Sequence, residues 1–377
     1  MSALRGLLLC AALAGTLGPP TVLAAGDEAA IMARIASIRA MPAVAVVDSA
    51  PPGMPQSTEA AATAAAIAQR HELDAAWRFF GDQRDESLPL LRRELSAELR
   101  AARPSHQLLL DAGYFLRRYG NGADTPLAMQ ALLAIPPTAP VDGAQLFRFA
   151  HAMAGERDPR MFPLLDGVFL RKKIRVPLPQ QGTVIDENGS AALLYGRFGP
   201  EGERRLAAQL ADNAAVERAL EVLMLTGSPD SVAAVAPLLR HEKVEVFTLA
   251  VNFLLRSGGP EGRAALLALK PQGLTDEAKQ FFAPLREQIA RQPAPPAGQG
   301  TLPDAEVRRQ LDVLEASSGR YEGVDPAVIL QSRLPKQELL ERLRRIRERS
   351  FGRATTEALA DIETTSALLN AVHYRDN

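Results

Sequence analysis

The side chains able to do chemistry in this sequence are few, and their spacing limits what that chemistry is. Five histidines are present: His71, His106, His151, His241 and His373. None stands in an HExxH arrangement, which would set two imidazoles on one helix face beside a carboxylate base. The densest group is His71-Glu72-x-Asp74. It could serve a metal or an acid/base site with help from elsewhere, but without a second anchoring motif it reads as a polar cluster on a helix surface. His151 falls where an inter-repeat hydrogen bond is expected rather than a ligand. No GxSxG elbow, phosphate-binding loop or GxGxxG occurs, so acyl-transfer and nucleotide signatures are missing. Carboxylate pairs stay open, because spacing along helices does not say which two face each other across a cleft. No cofactor or metal is expected.

Two cationic stretches stand out. Arg171, Lys172, Lys173 and Arg175 lie close together in RKKIRVPLPQQGTVIDENGS. They are the candidate contacts for an acidic partner, the alternative being a solvated loop between helices. The second stretch, PKQELLERLRRIRERSFGR from Pro335 to Arg353, is amphipathic and arginine-rich. Glu338/Arg342, Glu341/Arg345 and Arg344/Glu348 stand four apart, which favours ion pairs within the helix over a one-signed face for an anionic surface. A formal net charge of −1 argues against nucleic acid, which is held chiefly by clustered Lys and Arg on phosphates.

These groups must be positioned by helices. The composition is 47% hydrophobic but only 5% aromatic, suiting Ala/Leu-packed helices. The central stretch runs from Ser228 to Leu269. Ser228 is a good N-cap and Pro229 a good first-turn residue, and Val232, Val235, Ala236 and Leu239 share one face. After His241-Glu242-Lys243 a second helix repeats Val246, Leu249, Ala250, Phe253 and Leu254, ending at Gly258, read as a left-handed terminator. Similar glycines follow apolar runs at Gly81, Gly120, Gly155, Gly196 and Gly227, with spacings of 39, 35, 41, 31 and 31 up to Gly258. Neither helix of such a pair buries its stripe alone, so copies must stack. Four residues before the glycines stand Trp77, Leu116, Ala192, Leu223 and Leu254, with His151 the exception.

Pro229 to Gly258 resembles a HEAT repeat: a first helix ending in Pro-Leu-Leu, a charged turn, then Val246, Ala250, Leu254 and Gly258 at helical spacing. The likeness is best over about 200–270 and weaker over 60–200. It implies an all-α fold, an α-solenoid of helix pairs displaying a binding surface, with no catalytic site of its own. Glu242 and Phe247 stand where HEAT units often carry Asp and Arg, so no Asp/Arg ladder is implied.

Around this array, Arg5, the apolar run Leu7 to Leu17 and the small residues near Ala24-Ala25 read as a secretory signal over 1–25. Cys10, the only cysteine, lies within it and reads as an ordinary apolar residue there, which leaves the mature chain without thiols. The signal core is too short for a membrane span. Residues 26–56 hold a short helix bearing Ile31, Ile35 and Ile38, then a proline-rich linker; 57–291 form the array. Within it, the excess length between Gly155 and Gly196 maps to 171–190, where Ile174, Val176 and Leu178 could pair with Thr183-Val184-Ile185 as a hairpin. Residues 292–304 are a Pro/Gly linker, and 305–377 a helical unit in which Leu339, Leu343 and Ile346 meet Leu359, Ile362 and Leu369, or the last repeat. The expectation is a periplasmic or secreted, non-catalytic scaffold for a protein or peptide. A helical hydrolase with carboxylates in the groove, or a structural role in envelope assembly, are the alternatives.

Overall fold

In a computed structural model, residues 25–41, 56–178, 182–291, 303–316, 329–330 and 332–375 are described. The expected secretory signal up to Ala24, most of the proline-rich stretch after Met41 and most of the 292–304 linker lie outside the described residues. Among the described residues the fold is all-α apart from one small hairpin.

The first element among the described residues is α1 (Ala25–Ala40), whose Ile31, Ile35 and Ile38 are all buried. They seat it against α3 (Arg84–Glu98) and α4 (His106–Tyr119), each isoleucine contributing about 1.5–3 kcal/mol of burial. Arg39 fixes the end of α1 to Glu98 at 2.8 Å and Glu94 at 3.0 Å. Between them runs α2 (Gln56–Asp82).

Next come α5 (Thr125–Leu133) and α6 (Gly143–Ala154). Helix α6 starts where Asp142 Oδ1 accepts from the Ala144 and Gln145 amides at 2.8 and 3.1 Å, relieving donors that the first turn leaves free. After the short α7 (Phe162–Leu165) follow α8 (Glu187–Gly196), α9 (Pro200–Gln209) and α10 (Val216–Thr226). Then come the short α11 (Val232–Val235), α12 (Val244–Arg256), α13 (Gly259–Ala268) and α14 (Asp276–Arg291). Helices α4, α6, α8, α10 and α12 pack side by side in chain order, with α5, α9 and α13 each laid on a member of that row.

One expected helix is broken. The segment expected to be one helix from Pro229 winds as a 3₁₀ turn over Pro229–Ser231, α11, and a second 3₁₀ stretch over Ala236–Arg240. Pro237 has no N–H to give the Ala233 carbonyl, and the tighter winding avoids that gap. The 171–190 insertion carries β1 (Val176–Leu178) antiparallel to β2 (Thr183–Ile185), with Val176 opposite Ile185 and both buried.

The helix-ending glycines have a different cause from the one their sequence position suggests. Gly258 has φ −80 and is not left-handed; the residue after it, Gly259, is, at φ +57. Gly155, Gly196 and Gly227 share close approach, which Gly81 lacks: a methyl at Gly155 would overlap the Arg197 guanidinium, one at Gly196 the Phe351 ring, and one at Gly227 the Phe253 ring.

The C-terminal part contains α15 (Asp304–Ala316), α16 (Lys336–Phe351) and α17 (Thr356–His373). Leu339, Leu343 and Ile346 of α16 share a core with Val307 and Leu311 of α15 and with Leu369 of α17. Leu359 and Ile362 instead join the main core, so α17 has two apolar faces, and the face that Leu359 and Ile362 form serves the array. Helix α16 packs on α8, and α17 on α10 and α13. Polar bonds follow the same seam: Arg347 donates to the Gly227 carbonyl at 3.1 Å, Tyr374 to that of Gly259 at 2.7 Å, and the Gly259 amide to Asn370 at 2.9 Å.

The arginine-rich helix does not pair within itself as its spacing suggested. Arg342, buried, reaches Asp312 at 2.5 Å and Glu315 at 3.3 Å, and Glu338 takes Arg308 at 2.8 Å. These partners all come from α15, because that helix lies close enough to compete with the i,i+4 neighbours.

Candidate functional site

Three alternate helices bring polar and aromatic residues together on one cleft. Helix α2 contributes Arg70, Asp74 and Trp77; α4 contributes Asp111, Tyr114 and Arg118; α6 opens with Asp142 and adds Arg148. The hairpin residues Pro177 and Leu178 form one wall and Ala354 and Thr355, between α16 and α17, another. The space measures about 470 Å³, within the range of small-ligand and short-peptide sites.

The floor is aromatic. Trp77 and Tyr114 lie with ring centroids 5.1 Å apart and planes tilted by 45°, and Trp77 meets the buried Phe115 edge-on at 5.6 Å. Beneath them Asp111 is 3% exposed. Its carboxylate accepts from Trp77 Nε1 at 3.1 Å and from Gln107 Nε2 at 2.5 Å. Burial pushes its pKa up to about 6, against the pull of those two donors. A carboxyl group poised there is a usual candidate for acid/base work. Here, however, each oxygen is already engaged by a protein donor and the group locks the Trp77 indole in place.

The charges on the walls are not evenly matched. Arg70 is taken by Asp142 at 2.9 Å and by Asp74 at 3.3 Å. Arg148 has no carboxylate partner among the described residues: its guanidinium donates to neutral oxygens only, Gln145 Oε1 at 3.4 Å and the Pro177 carbonyl at 3.2 Å. Burial, and then the nearby Arg70 charge, press its pKa below the ordinary arginine value. Arg118, exposed, stacks over the Tyr119 ring at 5.3 Å and likewise makes no ion pair among the described residues. The cleft therefore keeps cationic hydrogen-bond donors beside apolar rings, a combination that receives an anion attached to an apolar body.

No family model, curated protein or solved structure matches this chain. The site must be judged on its own geometry. Among the described residues no group of His, Cys, Asp and Glu is arranged to hold a metal ion, and no helix is long and apolar enough to cross a membrane.

The four cationic residues singled out in the sequence lie away from this cleft's lining. Arg171 reaches Asp212 at 3.2 Å, Lys172 donates to the Pro137 carbonyl at 2.7 Å and Arg175 pairs with Glu187 at 3.0 Å. Lys173 is exposed beside them. The His71, Glu72 and Asp74 group is not brought together as a site: Glu72 accepts from Ser37 at 2.5 Å, Asp74 turns to Arg70 and the cleft, and His71 is exposed. His151 is 9% exposed and its Nε2 donates to the Phe351 carbonyl at 2.8 Å.

Of the charged lining residues, sequence reasoning weighed only Asp74 as a candidate and missed the rest. A signal existed: Arg70, Asp74 and Trp77 stand at i, i+4 and i+7, as do Gln107, Asp111 and Tyr114, with Arg118 four further on. Such a polar and aromatic stripe on neighbouring helices, at the spacing that should bury apolar residues, marks a shared open face.

Proposed function

We propose that the chain is a HEAT-like α-solenoid and an exported, non-catalytic scaffold that binds a protein or peptide partner, with the cleft between α2, α4 and α6 as the docking point. One observation carries this: a partly buried guanidinium without a carboxylate, Arg148, sits beside the Trp77 and Tyr114 rings in an open cleft. The row of α4, α6, α8, α10 and α12 supports the solenoid reading, since successive units that contact mainly their neighbours are what such arrays are made of. The leader-like N-terminal sequence supports export.

The hydrolase reading draws on Asp111, whose raised pKa suits a general acid. The binding reading is better supported, because Asp74 and Asp142 are held by Arg70 and Asp111 is buried under Trp77. The test is affinity capture from the exported fraction with wild type and Tyr114→Ala. A partner retained by the first and lost by the second supports the cleft as the docking point; a partner held equally by both removes it.

A further inference from the structure

We propose that the cleft recognises a peptide carboxylate, gripped by Arg148, with the adjoining apolar side chain laid against Trp77 and Tyr114. This rests on the cleft being the binding site and adds the chemistry of what enters it.

A guanidinium carries five N–H donors in a planar fork, and Arg148 commits to two long contacts with neutral oxygens, at 3.4 and 3.2 Å. Asp142 and Asp74 are near enough to act on Arg148 through space but do not bond it. Partial burial without a hydrogen-bonded carboxylate is costly, and an incoming anion offsets that cost while supplying the bidentate geometry a guanidinium fits best. Arg148 is also held in place: Gln145 lies one turn back on α6, and the Pro177 carbonyl belongs to β1, paired with β2. A preset fork loses less side-chain freedom on binding than a loose one.

The charge count selects the kind of anion. Three arginines and three aspartates line the cleft. One guanidinium, Arg70, is shared between the carboxylates of Asp74 and Asp142, so the six charges balance with no net positive surplus. A singly charged carboxylate at Arg148 adds one negative charge to that balance, whereas a phosphate dianion adds two beside the same three carboxylates. The rings decide the rest: Trp77 and Tyr114 are both part-exposed, and flat apolar faces beside a cation receive an aromatic or aliphatic side chain adjacent to the charge. The carboxylate itself could come from a chain end or from an Asp or Glu side chain, and the test separates the two.

Trp77 is the chain's single tryptophan, so tryptophan emission, excited beyond the tyrosine absorption, reads this cleft alone in the intact protein. The full chain is titrated with N-acetyl-phenylalanine, N-acetyl-phenylalanine amide, N-acetyl-phenylalanyl-glutamate amide and inorganic phosphate. The expected result is a saturable emission change with the first or the third probe, at least tenfold weaker with the plain amide and with phosphate. The tighter of the two carboxylates identifies the source. Arg148→Gln should lose the same tenfold. Arg118→Gln, at an exposed position, should lose a smaller factor, so the test survives if Arg148→Gln misfolds. Equal titration by acid and plain amide overturns the carboxylate grip while leaving the cleft as a binding site, and equal titration by phosphate overturns the choice of carboxylate. No saturable change with any probe overturns the proposal itself, and the partner capture with Tyr114→Ala then decides the underlying reading separately.

Discussion

His151 and Phe351, 200 residues apart in sequence, are joined by a hydrogen bond of 2.8 Å from the imidazole Nε2 to the backbone carbonyl. The imidazole also stacks on Phe147 at 5.5 Å, so one buried side chain ties α6 to the end of α16.

Burial is the main reason the His151 pKa falls to about 4, the Phe351 carbonyl pulling the other way. In the unfolded chain the group titrates near 6.5, so unfolding takes up a proton between those values. Stability from this site is complete above pH 6.5 and is lost as pH falls toward 4. The span of about 2.5 units is worth on the order of 3 kcal/mol. His151→Gln, which keeps a donor without titrating, should flatten the pH dependence of urea unfolding in that window. An unchanged slope would show that the imidazole does not titrate with folding.

Asp111 acts with the opposite sign. Its carboxyl is raised to about 6 by burial, above the unfolded value near 3.9, so the folded state holds its proton longer. Stability is greatest below pH 4 and declines as pH rises through 6, by about 3 kcal/mol at most. Asp111→Asn should therefore be more stable than wild type at pH 8 and no more stable at pH 4, since a turned Gln107 amide can still bond the new side chain. Thermal midpoints at the two pH values check this. A variant less stable at pH 8 would mean that the charge is wanted.

Gly196 and Gly81 should respond differently to the same change. A methyl at Gly196 meets the Phe351 ring, whereas nothing lies within 4 Å of one at Gly81. Gly196→Ala should cost about 1–3 kcal/mol as an overpacked contact, and Gly81→Ala should gain up to about 1 kcal/mol of helix propensity. Denaturant midpoints of the two single variants decide it, and matching shifts would contradict the close approach of α16 to α8.

A protease site placed within 292–302 tests how the C-terminal helices are held. Phe351, Leu359 and Ile362 pack into the main core and Arg347, Asn370 and Tyr374 bond along α10, α12 and α13. After cleavage the two pieces should still elute together in native gel filtration and separate only in denaturant. Separation under native conditions would mean that the seam is too weak to hold without the covalent link.

Helices with a clean apolar stripe were legible in the sequence. Ile31, Ile35 and Ile38 gave α1, and Val246, Ala250 and Leu254 gave α12, because burial on one side imposes the helical period. The hairpin was legible from Val176 and Ile185 for the matching reason in strands. Less legible was anything set by elements distant in sequence. Gly155 and Gly196 look like terminators from their neighbours, yet Arg197 and Phe351 are what exclude a side chain there. Arg342 could have bonded Glu338, and α15 supplied Asp312 and Glu315 instead. The cleft followed the same pattern: Arg148 is unremarkable until Pro177 and Trp77 are placed around it.

The seam between α16, α17 and the row of helices also bears on how the protein comes into being. Stacked repeats can fold from one end as they emerge, each new unit settling on the last. Here the surfaces of α8, α10 and α13 receive their cover from Phe351, Leu359 and Ile362, residues within the final thirty of the chain. Until those are made, the middle of the row stands with an apolar side open to solvent. Completion must therefore wait for closure of a loop of 200 residues, as between His151 and Phe351, a non-local step of the kind that slows folding. A chain that stops short of its last helix would present a partly assembled intermediate with an adhesive flank.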